Sequence, residues 1–343
     1  MRGKATSGAL GEAASPLIPA LSPQAGRGGD CGGATLRVLT DGRAGHEAQA
    51  LGLAEALRLA PDIRRVAPGK PYEWLAPFGP PDPRDAPAYT PPYPDLCIAA
   101  GRRTIPALRR LKRDSGGRTF TVYLNAPATG PRTADLIVAP RHDRLSGPNV
   151  VAPLTPPNRI SAERLARARA APGPRIARLP HPRVAMLIGS AEGIAHDLDH
   201  IAASLLSGGF GVMATASRRT PPELIRALGA ALAAPGGWFW DGTGDNPYLD
   251  MLANADRILV TGDSVNMIGE AVATGVPVHV IEPLAPRRKL RAYVSALEGA
   301  GAVRRWRGPF EDWPCAPLNS TPLVADRIAA AYAAFGARLR RGA

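Results

Sequence analysis

One succession, met again and again, limits what this chain can become. A strand-length run rich in apolar residues ends in a glycine-bearing turn, and apolar residues then recur at helical spacing. "TLRVLT" runs through "DGRAG" into "HEAQALGLAEALRL", where Ala50, Leu53, Ala54 and Leu57 share one face. "DLCIAA" leads through "GRRT" into "IPALRRLKR", and "RTFTVYLN" and "DLIVAPRH" read as later strands of the same sheet. Strands alternating with helices at this spacing predict a parallel, doubly wound α/β sheet.

A second series starts near Pro180 with "RVAMLIG". A helix around 197–207, "GFGVMAT", a helix around 221–233, "GWFWDG" and a helix around 247–254 follow. The stretch "RILVTGDSVNMIGEAVATGVPVHVIE", 257–282, then reads as strand, turn, helix, turn, strand with little slack. Two Rossmann-like halves joined by a linker resemble the GT-B architecture, in which two such domains face each other across a cleft. The expected divisions are a disordered tail over 1–33 and an N-terminal, acceptor-side domain over 34–158. A linker helix and loop over 159–180 lead to a C-terminal, nucleotide-sugar-side domain over 181–320. A terminal helix over 321–343 can dock on either half. Residues 67–94 are Pro-rich and read as a surface excursion.

Composition narrows the setting. Aromatic residues make up only 5%, so the cores are built from Ala, Leu, Val and Ile. The net charge of +13 is carried by arginine, since lysine stands only at 4, 70, 112 and 289. Such a charge suits an anionic membrane, a phosphorylated substrate or nucleic acid, but the arginines are scattered, as drift in a GC-rich bacterial genome would also leave them. They lie in predicted loops without interleaved aromatics, which argues against nucleic acid. Cys31, Cys97 and Cys315 are odd in number and far apart, so a reducing, cytoplasmic setting is expected. No apolar stretch approaches the ~20 residues of a membrane span. Pro16, Pro19 and Pro23 interrupt any signal-like segment.

Ligands of open α/β sheets collect at the carboxyl ends of strands, where helix N-termini offer free N–H groups. In the loop after 257–261, Gly262 permits close approach of a phosphate, while Asp263, Ser264 and Asn266 stand at the helix start. Glu270, further along, suits ribose hydroxyls. Asp263 or Ser264 acting only as an N-cap, with Glu270 merely exposed, is the plainer alternative. In "TDGRAGHEAQ", Arg43 and Gly45 accompany Asp41 and His46, of which either serves as a general base toward an acceptor. Two Arg-Arg-Thr loops, Arg102–Arg103–Thr104 and Arg218–Arg219–Thr220, occupy strand ends in opposite halves and suit a diphosphate. "WFWDGTGDNPYLDML", with Asn246, is a turn or a base pocket. His142, Asp143 and Arg144 end a strand beside the expected cleft. His196 and His200 lie four apart without a third ligand nearby, so no metal and no cofactor beyond the donor substrate is expected.

Together "DGRAGHEAQALGLAEAL", "AAGRRT", "HDRLSGPNV", "NRI", "SRRTP", "WDGTGDNPYLDMLANAD" and "VTGDSVNMIGEAVATGVPV" resemble the mitochondrial fission family of the plant elongated-mitochondria type, over about 36–310. Bacterial members are described as glycosyltransferases or, loosely, nucleoside-diphosphate-sugar epimerases. The 257–282 stretch is also similar to the nucleotide-sugar loop of GT-B transferases, which implies ribose contact at Glu270. Two segments depart from the family pattern: "NAPATGPR" replaces a Gln-Asp-Pro-Arg-like segment, and "IGSAEGIAHD" a Gly-Gly pair.

The reading these features support is a metal-independent glycosyltransferase using a nucleoside-diphosphate sugar, UDP-linked for instance. Its acceptor would be a saccharide or lipid, reached from the cytoplasm or peripherally at an anionic inner membrane. The alternative from another class is a non-catalytic adaptor that keeps the fold for protein or membrane contacts.

Overall fold

The computed structural model describes residues 31–194 and 197–342. Two six-stranded, all-parallel sheets form its two halves. The first comprises β1 (Leu36–Thr40), β2 (Pro61–Arg65), β3 (Leu96–Ala100), β4 (Phe120–Leu124), β5 (Leu136–Val138) and β6 (Val150–Val151). Their order is β2-β1-β3-β4-β5-β6. The second comprises β7 (Arg183–Ile188), β8 (Gly211–Ala216), β9 (Gly237–Trp240), β10 (Arg257–Thr261), β11 (Val278–Ile281) and β12 (Arg304–Arg305), ordered β12-β11-β10-β7-β8-β9. This is the GT-B-like pair of Rossmann-like domains expected from the strand-loop-helix succession. The edge strands β2 and β12 carry no apolar run and β6 is only Val150–Val151, and the sequence did not announce them.

Central strands are apolar on both sides because helices cover both faces. Within β1, successive residues enter opposite cores: Val38 packs with Leu53 and Val122, and Leu39 with Ile105 and Leu108. The helices of the first half are α1 (Ala44–Ala56), α2 (Tyr72–Leu75) and α3 (Ile105–Asp114). Then come α4 (Ala162–Ala170) and α5 (Pro174–Ala177), followed by α6 (Leu198–Ser207), α7 (Pro222–Ala231), α8 (Tyr248–Asn254), α9 (Val265–Val272) and α10 (Arg288–Gly299). The segment joining the halves lies on the second of them: Arg169 donates to the Ala253 carbonyl at 2.7 Å, and the Gly173 amide to Asp250 at 2.7 Å.

The terminal helix α11 (Thr321–Gly342) docks on the first half. Val324, Ala325 and Ile328 are fully buried beside Leu36 and Phe120. Burying such aliphatic side chains contributes about 1.5–3 kcal/mol each. The Phe335 ring lies 5.3 Å from that of Phe120 on β4. The two passages of chain between the halves are stitched together, with the Thr155 amide donating to Ser320 Oγ at 3.2 Å and the Asn158 amide to Thr321 Oγ1 at 2.9 Å. Cys31, assigned from sequence to the tail, is buried in the first core. Residues 1–30 and His196 lie outside the described residues.

The sheet order reverses between β1 and β3 in the first half and between β7 and β10 in the second. These are the two topological switch points, where a crevice opens beyond the strand ends.

His279 on β11 is fully buried, edge-on to Trp306, Phe310 and Trp313, and its Nε2 accepts from the Glu311 amide at 3.1 Å. Burial pushes its pKa from 6.5 down to about 4. The unfolded chain therefore takes up a proton that the native ring refuses, and stability present above pH 6.5 is lost as pH falls toward 4. The loss attributable to His279 is about 3 kcal/mol. Urea unfolding of His279→Leu and wild type across this window should show a shallower acid decline in the variant, and parallel curves would refute the assignment.

Candidate functional site

The four loops at the switch points meet. After β1, Asp41 is almost completely buried, at 3% side-chain exposure, and its Oδ1 lies 2.9 Å from His46 Nδ1. His46 keeps 22% of its side chain exposed. Burial alone would raise the Asp41 carboxyl. The hydrogen bond and charge of His46, with the Arg43 amide and charge, outweigh it and hold the carboxyl below its ordinary value. An ionised Asp41 thus fixes the ring through Nδ1 and directs Nε2 to whatever the site binds. After β3, Gly101 has φ +95°, and a β-carbon there would overlap Asp41 Oδ2 and stand 3.0 Å from His46 Nδ1. Glycine is what lets the two loops share this space.

In the second half, the loop after β10 is tied to the one after β7. Asp263 Oδ2 accepts from the Ser190 amide and hydroxyl, both at 2.6 Å, while its buried Oδ1 has no partner among the described residues. Ser264 caps α9, accepting from the Met267 amide at 3.5 Å. Gly262 is buried, its amide donating to the Ile281 carbonyl at 2.7 Å. These side chains shape the loop, as the plainer reading of that turn has it, and the N–H groups of the first turn of α9 remain as anion donors.

The two switch points touch through α1 and α9. Gln49 Nε2 donates to Asn266 Oδ1 at 2.9 Å, and Asn125 Nδ2 to Gln49 Oε1 at 3.3 Å. A β-carbon on Gly45 would overlap the Asn266 amide nitrogen. Beside this contact, the Tyr248 hydroxyl donates to Glu270 Oε2 at 2.7 Å. Burial lifts the Glu270 carboxyl from 4.5 to about 7, with the tyrosine pulling the other way. The buried Tyr293 hydroxyl has no partner among the described residues, and its ring packs 5.0 Å from that of His142. His142 is held below its usual value, first by burial; Asp143 opposes this and Lys289 adds to it. Asp143 reaches across to Lys289 at 2.9 Å.

Other residues singled out from sequence are placed differently. Arg102 turns away from the crevice to the Ala76 carbonyl at 2.8 Å, and Arg103 pairs with Glu73. Thr104 and Thr220 are buried and spend their hydroxyls on the carbonyls of Gly101 and Gly189 respectively, so both staple loops. Arg218 and Arg219 are exposed at the end of β8, and Arg43 stands 3.6 Å from Asp41. Arg144 is left-handed at φ 56°. Asn246 accepts from the Tyr248 amide at 3.0 Å and lines a cavity of about 720 Å³ between α5 and β9, with Arg175, Trp238 and Trp240. That cavity takes in the loop after β9 but none of the four loops at the switch points. Among the described residues no three His, Cys, Asp or Glu side chains gather as metal ligands. Gln49, Asn125, Tyr248 and Tyr293 went unmarked as site residues in the sequence; only Gln49, one turn beyond His46 on α1, carried a positional hint.

A family model described as "Mitochondrial fission ELM1" matches residues 44–332. The chain belongs to that family. Mitochondrial fission protein ELM1 of Arabidopsis thaliana is 30% identical over 282 residues, covering 72% of this chain and 66% of that protein. An uncharacterized protein of Rickettsia prowazekii is 30% identical over 122 residues, 33% of this chain and 34% of its own length. The chain thus spans somewhat under two thirds of the plant relative and about a third of the rickettsial one. Among solved structures, the UDP-GlcNAc 2-epimerase of Methanocaldococcus jannaschii superposes with a TM-score of 0.51 at 12% identity, covering 86% of this chain and 98% of that one. This likeness concerns the fold.

Two consequences can be measured. Gly45→Ala places a better helix former in α1, worth about 1 kcal/mol, yet it should lower the melting temperature because the new methyl displaces Asn266. In an Asn266→Ala background the same change should raise it, and equal effects in both backgrounds would exclude the clash. Glu270 stabilises the fold fully only below its unfolded value of 4.5, and this is lost as pH rises through about 7. Glu270→Gln should therefore stabilise the protein at pH 8 by about 3 kcal/mol and leave it unchanged near pH 4, a pattern that differential scanning calorimetry will show or deny.

Proposed function

We propose that the protein binds a nucleoside-diphosphate sugar at the second half's strand-end loops and transfers the sugar to an acceptor hydroxyl. The observation that carries this reading is the Asp41–His46 pair at one switch point, on whose helix Gly45 and Gln49 meet Asn266 of α9 at the other. His46 Nε2 takes the acceptor proton as the acceptor oxygen bonds to the anomeric carbon. The bond from that carbon to the diphosphate oxygen breaks, and its electron pair leaves with the nucleotide. Asp41 stays ionised and stabilises the imidazolium. The amides at the start of α9 and the exposed guanidiniums of Arg218 and Arg219 stabilise the departing charge. Glu270 accepts from the ribose hydroxyls and Tyr248 keeps its carboxylate oriented. No step requires a metal. The acceptor is a saccharide or lipid entering from the first half, and a lipid would be met at an anionic membrane surface. The fold shared with an enzyme named for UDP-GlcNAc makes UDP the first nucleotide to test.

Calorimetric titration with UDP should give binding that Glu270→Ala weakens about ten- to hundredfold, the loss typical of a charge-assisted hydrogen bond. Wild-type affinity should fall as pH drops below about 7, because the ribose needs an ionised acceptor, and this limb should vanish in Glu270→Ala. His46→Ala should bind UDP as wild type does. Unaltered affinity in a folded Glu270→Ala protein would remove the ribose role. A wild type that binds no nucleotide would leave the fold serving an adaptor.

A further inference from the structure

The excursion between β2 and β3 is a braced surface carrying three side chains that the fold leaves in water. Trp74 is 67% exposed, Phe78 72% and Leu75 48%. They occupy α2 and the turn after it, and the segment is too well anchored to fold them inward. Arg37 donates to the carbonyls of Ala88, Thr90 and Pro92. Asp82 accepts from the Gly69 amide at 2.8 Å and from Arg84, and Asp85 accepts from the Ala67 amide at 3.1 Å. Ala76 and Pro77 are buried beneath the exposed trio.

Cations rim this apolar face. Arg102 donates to the Ala76 carbonyl at 2.8 Å, Arg109 to the Pro77 carbonyl at 3.4 Å, and Lys70 lies 5.0 Å over the Trp74 ring. All three are exposed. Their partners are carbonyls and a ring, so their charges are not cancelled by carboxylates in these contacts. Glu73, the acidic residue of α2, is ion-paired to Arg103.

We propose that residues 70–78, with Arg102 and Arg109, form a docking surface for an anionic lipid bilayer. Trp74, Leu75 and Phe78 enter the boundary between headgroups and acyl chains, while Lys70, Arg102 and Arg109 meet lipid phosphates. A braced, exposed apolar tip with cations that no carboxylate offsets in these contacts fits a bilayer, whereas a nucleic acid would leave Phe78 and Leu75 without a partner. Arg102 directly follows Gly101, which packs on the Asp41–His46 pair, so the docking surface is continuous with the loop that holds that pair. In this the surface deepens the transferase reading by supplying the source of a lipid acceptor, and it rests on that reading only for this last point.

Co-sedimentation with phosphatidylcholine vesicles, with and without phosphatidylglycerol, tests the surface. Wild type should bind the mixed vesicles and scarcely bind the neutral ones. Trp74→Ser with Phe78→Ser should lower partitioning about tenfold or more, by removing the inserted area. Lys70→Gln and Arg109→Gln should each lower binding to the mixed vesicles about fivefold. Circular dichroism and UDP titration of the same variants, unchanged from wild type, serve as folding controls. Failure of the wild type to bind UDP would strike the transferase reading and leave the docking result standing. The proposal is overturned by equal binding to neutral and anionic vesicles, by wild-type binding in the Trp74→Ser/Phe78→Ser protein, or by no binding at all. A dimer in sedimentation equilibrium that Trp74→Ser abolishes would instead make the tip a self-association surface.

Discussion

Two helix starts, one from each half, are packed so closely that only a hydrogen atom on Gly45 fits against the Asn266 amide. Everything proposed for the site depends on this contact. It brings the Asp41–His46 pair and the first turn of α9 to a common crevice, and Gln49 holds the spacing by bonding Asn266 on one side and Asn125 on the other. A side chain larger than hydrogen at Gly45 would push the Asn266 amide aside and with it the hydrogen bond to Gln49. The arrangement needs no long loops, because sheet order alone delivers both loop pairs to the crevice.

Polar groups that a purely structural crevice would satisfy are left incomplete here. Glu270 is pushed toward neutrality, the Tyr293 hydroxyl and His142 Nδ1 are buried without partners among the described residues, and so is Asp263 Oδ1. Each such group costs about 1–3 kcal/mol unless something arrives to pair with it. Where local rules are broken together, in a crevice, a ligand is the simplest compensation. Outside the crevice His279 is satisfied only in part: its Nε2 accepts from a backbone amide and three aromatic rings surround it, while its Nδ1 has no partner among the described residues.

The alternation of apolar runs and glycine turns was enough to read both domains, because a strand buried on both faces must be nearly all apolar. It also placed Asp41, His46 and the 262–266 loop correctly at strand ends. What it could not show was which side chains the loops consume. Thr104, Thr220, Asp263 and Ser264 have the chemistry of ligand contacts and equally that of turn staples, and only their distances to neighbouring carbonyls and amides separate the two. Arg102 and Arg103 look like a diphosphate clamp in one dimension but stand in a 3-10 turn, Arg102–Thr104, and are taken up by the Ala76 carbonyl and Glu73. Tyr293 sits in an ordinary amphipathic helix, and what marks it is the packing of its ring on His142 of the other half.

The return of α11 to the first half has a consequence for how the protein is made. Val324, Ala325, Ile328 and Phe335 belong to the core that also contains Leu36 and Phe120. During synthesis the strands of the first sheet emerge before α11 and cannot close that face until α11 has followed them. By then the second half, complete by about residue 318, has had time to fold. Of the two halves, the one whose strands come first in the chain is thus the second to be finished. Until then the apolar faces of β4 and β5 stand open to chaperones or to other nascent chains.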